Sequence, residues 1–181
     1  MHLLEATHIR TYLTQVADEL GSAGPDHEIV IVGGSLLAWH GVRSATFDVD
    51  TITRMNQELI EAVATVANRH GLAPRWLNDS AAPFAPWAFH VDRCEVLIDL
   101  PRLRVLGAAW DDVLIMKIHA ARVRSQDRDD LVAMWPLAGL SPSEALDRYQ
   151  QGYPHAPEDE FLLGWIEAIA DESTWVGPLD G

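Results

Sequence analysis

The chain has 181 residues, of which 48% are apolar and 22% charged, which suits one globular domain or two small ones. This composition excludes a disordered tail, a collagen-like fibre and a coiled coil. Thirteen Lys and Arg against 27 Asp and Glu leave a formal net charge of −14; such a surface repels polyanions and argues against nonspecific coating of DNA.

From Met1 to Glu5 there is neither a basic region nor a long apolar run, so no secretory signal is expected. Residues 3–20 have helical spacing, with Leu4, Ile9, Leu13, Val16 and Leu20 as the stripe to be buried. Gly21-Ser22-Ala23-Gly24-Pro25 stops that helix. Glu28 to Val32 is a β-branched run that predicts a strand, broken at Gly33-Gly34-Ser35. Leu36 to His40 opens a short helix closed by Gly41, Thr46 to Ile52 alternates as a second strand, and Asn56 to His70 is helical up to Gly71. Residues 72–93, with Pro74, Pro83 and Pro86 among Trp76, Trp87 and Phe89, predict an irregular packed segment.

Cys94 is the one cysteine. It has no intramolecular disulfide partner, which fits a reducing compartment. Glu95–Leu100 and Leu103–Leu106 read as two strands joined at Pro101-Arg102. Trp110 to Arg124 is the clearest helix, with Asp111 and Asp112 in its first turn. Leu131–Leu137 continues helically, Ser141-Pro142-Ser143-Glu144 is a capping box that opens another helix, and Phe161–Ala170 is the last. The tail from Glu172 to Gly181 is expected to be loose. No stretch approaches the roughly 18 apolar residues of a membrane span, so the expectation is a soluble, cytoplasmic protein. The order of elements predicts an α+β fold, α/β-like: a small mixed sheet flanked by helices over residues 1–137, and a C-terminal helical extension over 138–181 packed on the same domain.

Asp48-Val49-Asp50 is the first chemical signal. On a strand, residues i and i+2 face one side, roughly 6–7 Å apart. Two carboxylates converging there repel each other, and a hard cation such as Mg²⁺ resolves the conflict; the alternative is two solvent-facing aspartates. Gly33-Gly34-Ser35, between strand and helix, is the second. It would let backbone amides approach a phosphate, or it is a plain turn with Ser35 as N-cap.

Strand, Gly-Gly-Ser, short helix, then a strand bearing Asp-x-Asp is an ordered constellation. The stretch Gly33 to Asp50 resembles the minimal nucleotidyltransferases of the DNA polymerase β superfamily. Met116-Lys117-Ile118-His119-Ala120-Ala121-Arg122 and Asp127-Arg128-Asp129-Asp130-Leu131 are similar to the lysine helix and a following acidic element of AbiE-type toxins. Trp76-Leu77-Asn78-Asp79 is similar to a motif of uncharacterised bacterial relatives.

The resemblance implies an Mg²⁺-dependent enzyme that transfers NMP from an NTP. Asp48 and Asp50 would hold the metal, Gly33, Gly34 and Ser35 the terminal phosphates, and Lys117 would neutralise phosphate charge. Arg124 shares a helical face with Lys117. Arg43 and Thr46 either touch phosphate or brace the loop. Asp127 and Asp130 serve as base or orienting group, or only cap a helix. A third carboxylate is common in the superfamily, with Asp92, Glu95 and Asp99 as candidates; Glu95 and Asp99 would share a strand face. Toxin relatives modify RNA, including tRNA, and others modify small molecules or proteins. Arg93, Arg102, Arg104, Lys117, Arg122, Arg124 and Arg128 could form an RNA-facing patch. The alternatives are a degenerate nucleotide-binding fold that works with a cognate partner protein, and a drug nucleotidyltransferase.

Overall fold

The computed structural model describes residues 3–121 and 128–173. They fall into two compact units, Met1–Phe84 with Val91–Ala108, and Ala85–His90 with Ala109–Gly181.

In the first unit α1 (Ala6–Leu20) starts behind Glu5, which shares a reciprocal capping box with His8. It buries Ile9, Leu13, Val16, Ala17 and Leu20, the stripe its periodicity predicts. Leu4 is buried too, but ahead of the helix. Then follow β1 (His27–Val32), α2 (Gly33–Trp39), β2 (Val49–Thr51) and α3 (Gln57–His70). The Asn56 side chain caps α3 by accepting the Leu59 N–H at 3.0 Å, and Gly71 ends it in the left-handed conformation. β3 (Leu77–Asn78), two single 3₁₀ turns (Ala82–Phe84 and Val91–Arg93), β4 (Glu95–Leu100) and β5 (Leu103–Gly107) complete the unit.

The sheet order is β3-β2-β1-β5-β4. β1 lies in the middle, antiparallel to β2 and parallel to β5. Ile29–Val32 are all buried, as a strand covered on both faces should be. β4 and β5 form the expected hairpin, turned at Pro101 and at Arg102, which has φ 63. The Arg102 side chain folds inward. It donates to the carbonyls of Leu20, Ala23 and Pro25 and to Glu58 Oε1 at 2.6 Å, so one guanidinium ties together the C-terminal end of α1, the following loop and α3.

The second unit contains α4 (Trp110–Ala121), α5 (Arg128–Ala138), α6 (Pro142–Gly152) and α7 (Leu162–Glu172). α4 packs on α5 and α6, and α7 on α5 and α6. The predicted capping box is formed: Ser141 Oγ accepts the Glu144 N–H, and Glu144 accepts the Ser141 N–H at 2.8 Å. Arg148 on α6 pairs with Asp111 at 3.1 Å and with the fully buried Asp112 at 2.7 Å, which gives that carboxylate the partner burial demands. Among the described residues no helix is long and apolar enough to cross a membrane.

The α+β architecture is as expected, and several boundaries differ. The strand predicted over 46–52 is reduced to Val49–Thr51, because the Thr46 backbone pairs with Leu4 instead (N···O 2.7 and 2.9 Å). The helix expected from Leu36 begins at Gly33, and α5 begins at Arg128, before Leu131. The irregular segment 72–93 contains β3, too short to signal itself by alternation. Glu172 belongs to α7, and the rest of the tail from residue 174 lies outside the described residues.

Candidate active site

The site is built by register. Val32, the last residue of β1, pairs with Asp50 of β2. Antiparallel partners lie about 5 Å apart, so Asp50 is set beside the residue that delivers the chain into Gly33-Gly34-Ser35. Gly33 takes φ 60, a conformation that glycine adopts without strain and that lets α2 start directly on the strand. Asp48 and Asp50 flank the buried Val49 and are both partly exposed, as alternation requires.

Gly34 closes the arrangement. A Cβ there would stand 3.0 Å from Thr46 Oγ1 and 3.1 Å from Arg43 Nη1, so both side chains rest against the bare Cα. Thr46 is buried and held at its backbone by Leu4. Burial raises the Asp48 carboxyl above its ordinary pKa, and the nearby positive charge of Arg43 partly offsets that. Gly34→Ala is therefore expected to push Thr46 and Arg43 aside, at an overpacking cost of about 1–3 kcal/mol. Its urea midpoint should fall while a cooperative transition remains; an unchanged midpoint would show that neither side chain rests on Gly34.

Ser35 does not cap the helix. The N-cap position is Val32, with no side-chain cap, and the Ser35 hydroxyl is buried and donates to the Val32 carbonyl at 2.8 Å.

The acids suggested as a third carboxylate sit elsewhere. Asp92 is in the second 3₁₀ turn, and Glu95 and Asp99 are on β4, separated from β2 by β1 and β5. Glu95 and Asp99 do not share a face: pairing slips between Val96 and Ile98, so Glu95 opposes Gly107 while Asp99 opposes Arg104. That odd offset on β5 puts the two acids on opposite sides. Glu95 lies 3.3 Å from His40. The position beside Asp50 on the other neighbouring strand is taken by Asn78. Among the described residues no three His, Cys, Asp or Glu side chains are grouped to hold a metal ion. Two hard carboxylates nevertheless fit Mg²⁺, which commonly takes one or two carboxylates and completes its shell with water and substrate phosphates.

Trp76-Leu77-Asn78-Asp79 has a structural explanation. Trp76 is buried with its indole N–H donating to the Val63 carbonyl at 3.2 Å, and its own carbonyl accepts the Val49 N–H at 2.6 Å. Asp79 accepts the Met55 N–H at 3.3 Å and lies 3.7 Å from Arg54. The motif thus secures the strand that flanks the acid pair.

In the second unit, Lys117 on α4 and Asp130 on α5 form an ion pair at 2.9 Å, both mostly buried. A cycle of Lys117→Met, Asp130→Asn and the double variant is expected to give a coupling of about 1–3 kcal/mol, above a surface pair and below a fully buried one. Coupling near zero would mean the contact contributes nothing to stability. Asp127, Arg122 and Arg124 lie outside the described residues. Of the other basic residues proposed as an RNA-facing patch, Arg102 is enclosed among carbonyls, Arg104 pairs with Glu28 at 3.1 Å and Arg128 with Glu172 at 2.5 Å.

A family of nucleotidyltransferases of unknown function, DUF6036, matches residues 11–140. The chain belongs to this family. Curated proteins and solved structures gave no match. The span matched to DUF6036 contains Gly33 to Asp50, Asn78, Lys117 and Asp130, whereas Leu4, which clamps Thr46, precedes it. The sequence marks Leu4 only as part of a helical stripe and Asn78 only as part of the Trp76–Asp79 motif, because both act through backbone pairing that no local pattern announces.

Proposed function

We propose that this DUF6036 protein transfers a nucleoside monophosphate from an NTP to an acceptor, using Asp48 and Asp50 as the cation-binding pair. The observation that carries this reading is the Val32–Asp50 register, which sets the acid pair beside the Gly33-Gly34-Ser35 turn. Mg²⁺ held by the two aspartates would neutralise phosphate charge and align the attack. Arg43 and Thr46 rest on Gly34, which supports assigning them, with Gly33, Gly34 and Ser35, to the phosphates in this reading. In the transfer an acceptor oxygen bonds to the α-phosphorus, the bond to the α–β bridging oxygen breaks, and pyrophosphate leaves. The acceptor proton passes to water or to a general base.

The resemblance of the Lys117 helix to AbiE-type toxins supports RNA as the acceptor class, tRNA included, in a cytoplasmic toxin–antitoxin or phage-defence role with a cognate partner protein. The test uses α-labelled and γ-labelled NTPs with tRNA and with a small-molecule pool. Label from the α position in an acceptor, matched by pyrophosphate, is the expected result. Release of inorganic phosphate alone, or activity that survives Asp48→Asn with Asp50→Asn, would overturn it. A catalytically degenerate, nucleotide-binding protein is the second reading, favoured by the lack of a third carboxylate among the described residues.

A further inference from the structure

Both sheet neighbours of Asp50 are uncharged. Its partner on β1 is Val32 and its partner on β3 is Asn78. Paired residues project to the same face of a sheet, so Asn78 stands on the side of the acid pair, where an acid would have made a third ligand. Its amide is already engaged and 6% exposed: Oδ1 accepts the Ser80 N–H at 2.9 Å, and Nδ2 donates to the Arg75 carbonyl at 3.4 Å. The acids of β4 lie three strand spacings from β2, about 14 Å away.

We infer that the site holds a single divalent cation, delivered with the nucleoside triphosphate, because Asn78 occupies the sheet position beside Asp50. This rests on the proposed function and refines it. Two carboxylates carry the charge that one divalent ion balances. A second ion would have to share the same two ligands, and two divalent ions a few ångströms apart repel strongly. With two carboxylates and no third acid grouped with them among the described residues, the free protein binds the cation weakly, and the phosphates of the nucleotide supply the missing ligands. The adjacent strand therefore sets how many cations the site takes.

The full-length chain is mixed with an equimolar α,β-methylene NTP analogue and titrated with Mn²⁺, the free ion being read by EPR and no turnover being required. The expected result is one Mn²⁺ per ternary complex, with Mn²⁺ alone bound at least about tenfold more weakly. Asn78→Asp is expected to admit a second Mn²⁺ to the complex and to tighten Mn²⁺ binding to the free chain about tenfold. Should that variant fail to fold, the wild-type count still decides. Two Mn²⁺ in the wild-type complex would overturn this inference and leave the proposed function standing. No Mn²⁺ retained with any nucleotide would overturn both. A count that stays at one in a folded Asn78→Asp chain would overturn the role of Asn78.

Discussion

Saturating nucleotide is expected to raise the melting temperature of the chain by about 5–10 °C in the presence of Mg²⁺, and the Asp48→Asn/Asp50→Asn chain is expected to lose the whole shift. Ligand at about 100 times Kd stabilises the native state by roughly 2.7 kcal/mol. A chain of this size gains about 2–4 °C per kcal/mol. The choice of variant matters, because burial already disfavours the charged form of Asp48. Replacing that carboxylate with an amide of the same shape removes the desolvation cost of a partly buried charge, which offsets the lost attraction to Arg43, so the unliganded melting temperature should hold. A lost shift then reports lost binding and not unfolding. A shift that persists without Mg²⁺, or survives in the double variant, would sink the assignment of the aspartates. Running the four NTPs in parallel also identifies the preferred base.

Arg102→Ala is expected to cost about 2–4 kcal/mol, because backbone carbonyls lose their donor while the part-exposed Glu58 can turn to water. Arg102 is 6% exposed, and its guanidinium satisfies the carbonyls of Leu20, Ala23 and Pro25 together with Glu58. Without it those acceptors face a void, and the loop from Gly21 to Pro25 loses its attachment to the β4–β5 turn. The same network has a pH signature. The hydrogen bond from Arg102 holds the Glu58 carboxyl below its ordinary value; desolvation opposes it, and a smaller hydrogen bond from His27 at 3.1 Å adds to it. A depressed carboxyl adds stability that is complete above the ordinary glutamate pKa and disappears as the pH falls through the lower, folded value. Urea unfolding between pH 3 and 7 should therefore show an acid limb in the wild type that is flattened in Arg102→Ala and in Glu58→Gln. Parallel profiles in all three chains would mean that Glu58 carries no such linkage.

The Arg102 network also shows why a basic cluster in sequence need not be a basic surface. Seven of the 13 basic residues fall between Arg93 and Arg128, which suggests a patch facing RNA. Arg102, Arg104, Lys117 and Arg128 each face a carboxylate in the structure. In a chain of net charge −14 acids outnumber bases about two to one, so a guanidinium that reaches any neighbour usually reaches an anion. Any electropositive path to an acceptor must draw on fewer residues than the sequence suggests.

Where the signal is local, the sequence was legible. The stripe of α1, the Asn56 and Gly71 ends of α3, the Ser141 capping box of α6 and the β-branched run of β1 all depend on residues within a turn or two of one another. The acid pair and the Gly33-Gly34-Ser35 turn were equally visible, because residue type and spacing mark them. Pairing across the chain decided everything else. Only the sheet brings Val32 and Asn78 to either side of Asp50, only the slip after Val96 turns Glu95 and Asp99 to opposite faces, and only Leu4 draws Thr46 away from β2. A strand of two residues such as β3 has too few side chains to show a period, and a one-residue bulge reverses every face beyond it. The residues that offer the chemistry are thus written locally, whereas the number of carboxylates that meet is set by register.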